Sequence, residues 1–160
     1  MRSKIYKPKK KKTFKQAVEA TPMVKDCYRP GKQAILNKEQ DKVELTIPRN
    51  CGGSLFIDKC LVDQKIDTDK NRWDYAIDYN GEVFFFEVHS AKTGEVSKVL
   101  KKLQWLKHWL HTSAPEINAL KAETPYYWVK SKSYSILPYS SEERAFQEKG
   151  LRPISKLILK

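Results

Sequence analysis

Apolar and polar side chains alternate most clearly between Trp73 and His89. Trp73-Asp74-Tyr75-Ala76-Ile77-Asp78-Tyr79 is one extended run and Glu82 to His89 is a second, with Asn80-Gly81 between them. Asn-Gly flanked by alternating runs is a strong hairpin signal, because both central residues of a type I′ turn need positive φ. A two-residue turn sets the register, so paired residue numbers sum to 161: Tyr79 faces Glu82, Asp78 faces Val83, Ala76 faces Phe85 and Asp74 faces Glu87. Opposed side chains leave a sheet on the same face with Cβ atoms about 5 Å apart, and His89, two residues beyond Glu87, shares that face. The other face carries Trp73, Tyr75, Ile77, Phe84, Phe86 and Val88, an apolar surface that must be covered, which makes both strands central.

The pattern elsewhere predicts further elements. Thr13 is an N-cap for a short helix whose apolar residues are Phe14, Ala17 and Val18. Tyr28-Arg29-Pro30-Gly31 breaks the chain before a short helix around Gln33 to Asn37. Val43, Leu45 and Ile47 alternate as a strand closed by Pro48, and Ser54 to Val62 reads as another. Glu95 to His111 carries Val96, Val99, Leu100, Leu103, Leu106 and Leu110 as one helical stripe that belongs on the sheet. Tyr126 to Val129 and Tyr134 to Leu137 read as strands, Ser140 caps a helix to Lys149 that Gly150 ends, and Leu157 to Leu159 adds a last strand. The expected fold class is α/β with a mixed sheet, in one domain over 13–160.

At 160 residues, 40% hydrophobic and 11% aromatic, the chain can bury a core, which excludes wholesale disorder. No apolar run approaches the roughly 18 residues of a membrane span, and no apolar segment follows the N-terminal charges as a secretory signal would. A cytoplasmic location is expected, or a nuclear one in a eukaryotic host, since KPKKKK resembles a nuclear address. Cys27, Cys51 and Cys60 contain no CxxC pair and are expected to be reduced thiols. The net charge is +12, and residues 1–15 hold eight cations and no acid, so a flexible basic arm over 1–12 is expected, serving phosphate contact, solubility or targeting.

Like charges opposed on a sheet destabilise it, so Asp74 and Glu87 call for a cation or a shared proton. Mg²⁺ or Mn²⁺ suits them, because hard divalent ions take carboxylate oxygens and activate water for attack on a phosphodiester. Asp78 lies four residues from Asp74, about 13 Å along the strand, too far to share an ion with Glu87.

Asp74, followed thirteen residues on by Glu87-Val88-His89 at the end of an aromatic strand and then by an amphipathic helix, resembles the PD-(D/E)XK, or restriction-endonuclease-like, nuclease superfamily over about residues 54–135. The resemblance implies an αβββαβ core, metal held by Asp74, Glu87 and the Val88 carbonyl, and hydrolysis of nucleic acid, DNA more than RNA. It also implies a glutamate on the first helix reaching the metal through water, for which Glu19 is the candidate and Glu44 the alternative. Trp73 stands where that motif has proline, and His89 where it has lysine. His89 then acts as general base or ligand, or the site has decayed, and a lysine could arrive from Lys92, Lys98 or Lys101.

On the helix after the site, Lys98, Lys102, Trp105 and Trp109 form a second stripe opposite the apolar one. Lysines interleaved with tryptophans suit phosphates and bases, whereas a packed helix or a second subunit, hence a homodimer, would cover the rings. Gln104 resembles a helix glutamine of some nucleases in the superfamily. Residues 58–87 sum to −4 and 92–107 to +4, a polarity suited to a cation site beside a phosphate-binding helix. These residues predict a metal-dependent nuclease with Asp74, Glu87, His89 and Glu19 in chemistry and Lys92, Lys98, Lys101, Lys102, Gln104 and Trp105 on nucleic acid. The alternative is a non-catalytic nucleic-acid-binding module on the same fold.

Overall fold

A computed structural model of the chain describes residues 10–66 and 70–160; most of the expected arm, residues 1–9, falls outside them. Thr13 caps α1 (Phe14–Glu19) as its sequence predicts: its hydroxyl accepts from the Gln16 amide at 3.2 Å and the Gln16 side chain accepts from the Thr13 amide at 3.0 Å. β1 (Val43–Leu45) follows, then β2 (Cys51–Phe56), α2 (Ile57–Asp63), β3 (Tyr75–Tyr79) and β4 (Glu82–His89). After them come α3 (Val96–Thr112), α4 (Pro115–Asn118), β5 (Lys121–Lys130), α5 (Ser141–Glu148) and β6 (Leu157–Leu159).

The main sheet has the order β2-β3-β4-β5, antiparallel at the first two pairings and parallel at the third, so the fold is mixed α/β around a mixed sheet. The hairpin keeps the register set by its turn, from Tyr79 opposite Glu82 to Tyr75 opposite Phe86, with Asn80 at φ +56° and Gly81 at φ +80°. Both of its strands are interior to the sheet.

Each face of the sheet is buried. Leu55, Ala76, Val83 and Phe85 pack with Leu103, Leu106 and Trp109 of α3 and with α1. Tyr75, Ile77, Tyr79 and Phe86 pack with Ile35 and with Val43, Leu157 and Leu159 of the separate parallel pair β1–β6. Trp73, expected with this second group, packs in the first, because it precedes the paired part of β3 and escapes its alternation. Among the described residues no helix is long and apolar enough to cross a membrane.

Other expectations are corrected. Ser54 to Val62 is not one strand: β2 ends at Phe56 and α2 follows, because Ile57, Cys60 and Leu61 lie one helical turn apart and are buried together. Tyr134 to Leu137 makes no strand, only an isolated bridge from Ser135 to Lys92. Cys27 and Cys60 form a disulfide with Cα atoms 6.1 Å apart, and Cys51 stays free. The helical turn at 57–63 is what swings Cys60 towards the loop holding Cys27, a rearrangement invisible when the segment is read as a strand.

Candidate functional site

Asp74 and Glu87 meet as the turn arithmetic predicts. The Asp74 amide donates to Glu87 Oε2 at 2.9 Å, and the Val88 amide donates to Asp74 Oδ2 at 3.2 Å, so each carboxylate is anchored by the opposite strand. The Asp74 carbonyl accepts from the Ile57 amide at 2.7 Å, which ties the site to the β2–α2 junction. Glu87 is completely buried. Burial, and then the charge of Glu87, push the Asp74 carboxyl well above the ordinary carboxylate range.

The cation opposite this pair is Lys102. Its Nζ lies 2.5 Å from Glu87 Oε1, and its side chain is 17% exposed against 0% for Glu87. Burial opposes its charge, yet Glu87 and Asp74 outweigh that and hold its pKa above the ordinary lysine value. Lys102 is expected on an outward, nucleic-acid-facing stripe; instead its side chain turns inward to Glu87. A lysine does reach the acids, one residue beyond the candidates Lys92, Lys98 and Lys101.

His89 is placed between two acids. Its Nδ1 is 3.6 Å from Glu87 Oε1 and its Nε2 is 2.7 Å from Glu95 Oε2. The Glu87 contact, against burial and with help from Glu95, raises the His89 pKa, and His89 in turn lowers that of Glu95. Both ring nitrogens face carboxylates, so the protonated ring can donate to each. The Trp128 Nε1–H donates to the His89 carbonyl at 3.0 Å and fixes its backbone.

The remaining expected residues scatter. Glu19 is exposed on α1, and Glu44 lies on β1 with Lys156 3.8 Å away, so neither is brought to the pair. A further acid that raises the Asp74 pKa is Glu39, in the 3₁₀ turn Asn37–Lys42, whose own carboxyl feels the charge of Glu87. Its Oε2 is buried without a hydrogen bond, and burial raises its pKa. The polar run around Glu39 has no periodicity, so nothing in the sequence marked it. Asp58, at the start of α2, is paired with Arg72 at 2.8 Å and also adds to the charge felt by Lys102.

Lys92 is exposed, and Lys98 approaches Glu95 at 3.9 Å. Lys101 and Gln104 line a groove of about 620 Å³ between α3 and α5, together with Lys107 and Lys149. Trp109 is buried within the chain and Trp105 stacks on it at 5.7 Å, so the chain itself covers the rings and needs no second subunit to do so.

The donors at the pair are hard oxygens: both oxygens of Glu87 accept hydrogen bonds, from the Asp74 amide and from Lys102, and Oδ2 of Asp74 accepts one from the Val88 amide. No group of three or more His, Cys, Asp or Glu side chains among the described residues could hold a metal ion. An ion here would rest on two carboxylates, the Val88 carbonyl and water, a sparse set that Mg²⁺ accepts. No family model matches the chain, and no curated protein or solved structure does.

Proposed function

We propose that this protein is a divalent-metal-dependent nuclease, acting on DNA before RNA, with a restriction-endonuclease-like arrangement of its site. The supporting observation is the cross-strand pair Asp74–Glu87, each carboxylate anchored by a backbone amide of the other's strand, with Lys102 buried against it. Asp74, Glu87 and the Val88 carbonyl would hold Mg²⁺ or Mn²⁺, which supplies an activated water and neutralises phosphodiester charge. Lys102 takes the part of the motif lysine that this chain lacks at position 89, offsetting negative charge. His89, when protonated, offers a second proton donor beside Glu87, and Glu95 orients it and favours its charged form. Exposed Lys92, Lys98 and Lys101 and Gln104 contribute backbone contacts at the rim.

Asp74→Ala should abolish Mg²⁺- or Mn²⁺-dependent cleavage of plasmid, single-stranded DNA and RNA while circular dichroism stays unchanged. Wild-type protein that cuts none of these with either ion overturns the proposal. One observation favours a non-catalytic binding module instead: Lys102 already neutralises Glu87, so the pair can stand without an ion. That reading predicts salt-sensitive nucleic-acid binding that Asp74→Ala leaves intact, with no cleavage.

A further inference from the structure

Exposed aromatic surface gathers in the irregular segment that joins β5 to α5. Tyr134 is 37% exposed, Leu137 63% and Tyr139 91%. Tyr139 also has φ +60°, a left-handed backbone that a β-carbon disfavours and that glycine or asparagine would occupy more easily. A bulky ring in a strained position with almost nothing to pack on contributes little to the fold.

The segment is held against the candidate site. The Ser131 amide donates to the His89 carbonyl at 3.1 Å, Ser135 to the Ala91 carbonyl at 2.9 Å, and the Leu137 amide to Thr93 Oγ1 at 2.9 Å. Glu143 gathers both tyrosines: Oε2 accepts from the Tyr134 hydroxyl at 3.3 Å and Oε1 from the Tyr139 amide at 3.2 Å. Lys130 is paired in register with His89, Lys92 is bridged to Ser135, and Lys132 is exposed two residues before Tyr134. Flat apolar rings bordered by lysines match a strand whose bases are unstacked and whose phosphates run alongside, whereas a closed duplex offers phosphates without free base faces.

We infer that Tyr134 and Tyr139 form a stacking platform for unpaired bases, so that the substrate entering the site is single-stranded DNA. This rests on the reading of Asp74 and Glu87 as a phosphodiester-cleaving centre, and it names the strand form that centre receives.

The test is fluorescence anisotropy of the full chain with a labelled 12-nucleotide single strand, the blunt duplex of the same sequence and an abasic 12-mer, in EDTA at one fixed salt concentration. The single strand should bind at least about tenfold tighter than the duplex or the abasic strand, and Tyr139→Ala should lose about five- to tenfold on the single strand alone, the low end for a base–aromatic stack. Tyr139→Asn, which suits the left-handed backbone, should lose as much as Tyr139→Ala, and Tyr139→Trp should retain affinity, which separates the ring from the strain. Equal affinity for single strand and duplex, or unchanged binding by Tyr139→Ala, overturns the platform. So does a dimer in sedimentation that Tyr139→Ala dissolves, which would assign the rings to a second copy. A parallel Mn²⁺ cleavage assay separates the two proposals. Tyr139-dependent single-strand binding without cleavage keeps the platform and fells the nuclease; Asp74-dependent cleavage of duplex, indifferent to Tyr139, does the reverse.

Discussion

Replacing Lys102 by methionine would isolate the role of the cation at the acid pair. Glu87 is fully buried, and its Oε1 has Lys102 Nζ at 2.5 Å. Removing one partner of a buried pair strands the other charge and costs about 3–5 kcal/mol. His89 Nδ1 at 3.6 Å from the same oxygen offsets part of this, so about 3 kcal/mol is expected. At about 2–4 °C per kcal/mol for a domain of this size, Tm should fall by about 6–12 °C. Lys102→Met/Glu87→Gln leaves no stranded charge and should recover to within about 1.5 kcal/mol of wild type. A dication seated on the two carboxylates would replace the lost ammonium, so Mn²⁺ at 100 times its dissociation constant should return about 2.7 kcal/mol to Lys102→Met. Thermal denaturation in EDTA and in Mn²⁺ measures both effects. A single variant within about 1 kcal/mol of wild type, with no response to Mn²⁺, refutes the reasoning, since Glu87 would then be content with a proton or water.

Three further outcomes are expected. Asp78 is buried against Gly52, where any Cβ would collide with its carboxylate, and burial lifts its pKa to about 6. The folded state therefore binds the extra proton between about pH 4 and 6, and stability falls as pH rises through that window; urea titrations should find Asp78→Asn gaining about 2 kcal/mol more over wild type at pH 7.5 than at pH 4.5. The raised pKa of His89 stabilises the fold below about pH 6.5 and the gain is lost as pH rises through the folded value, so His89→Gln should destabilise more at pH 6 than at pH 9, and an NMR titration midpoint below 6.5 would contradict the Glu87 and Glu95 contacts. Breaking the Cys27–Cys60 bridge, which spans 33 residues, should lower unfolding free energy by up to about 4 kcal/mol from regained chain entropy, read as a drop in urea midpoint on adding dithiothreitol that the Cys27→Ser/Cys60→Ser variant does not show.

The hairpin and its acid pair were legible because two local rules act on the same residues: Asn80-Gly81 sets the turn length and period-two alternation carries the register outward. His89 followed from the same parity. The apolar stripe of α3 was legible too, but periodicity places side chains around a helix axis without saying how that helix is rotated over its sheet. Lys102 was therefore assigned to solvent when it points at Glu87. Glu39 was missed because tertiary packing of a polar 3₁₀ turn leaves no trace in sequence pattern. Cys60 was misread for a different reason: Phe56 and Ile57 continue the apolar run of β2, and only the wider spacing to Cys60 and Leu61 marks the change to α2. The disulfide was overlooked for another reason: three cysteines without a CxxC pair read as reduced thiols, and no spacing marks a bridge across 33 residues.

The position of the turn has a consequence for how this hairpin can vary. Asn80 and Gly81 lie midway between Asp74 and Glu87, so they act as the origin of a count that ends at the two acids. With Asn80-Gly81 kept as the turn, adding one residue between Gly81 and Glu87 would reverse the parity of every later position in β4 and turn Glu87 into the apolar layer beneath Val43 and Leu157. Adding two there would restore parity but slide Glu87 two residues past Asp74. The tip can thus exchange side chains that tolerate its backbone while the count of residues from it to each acid stays locked, although it lies at the far end of the hairpin from the chemistry it aligns.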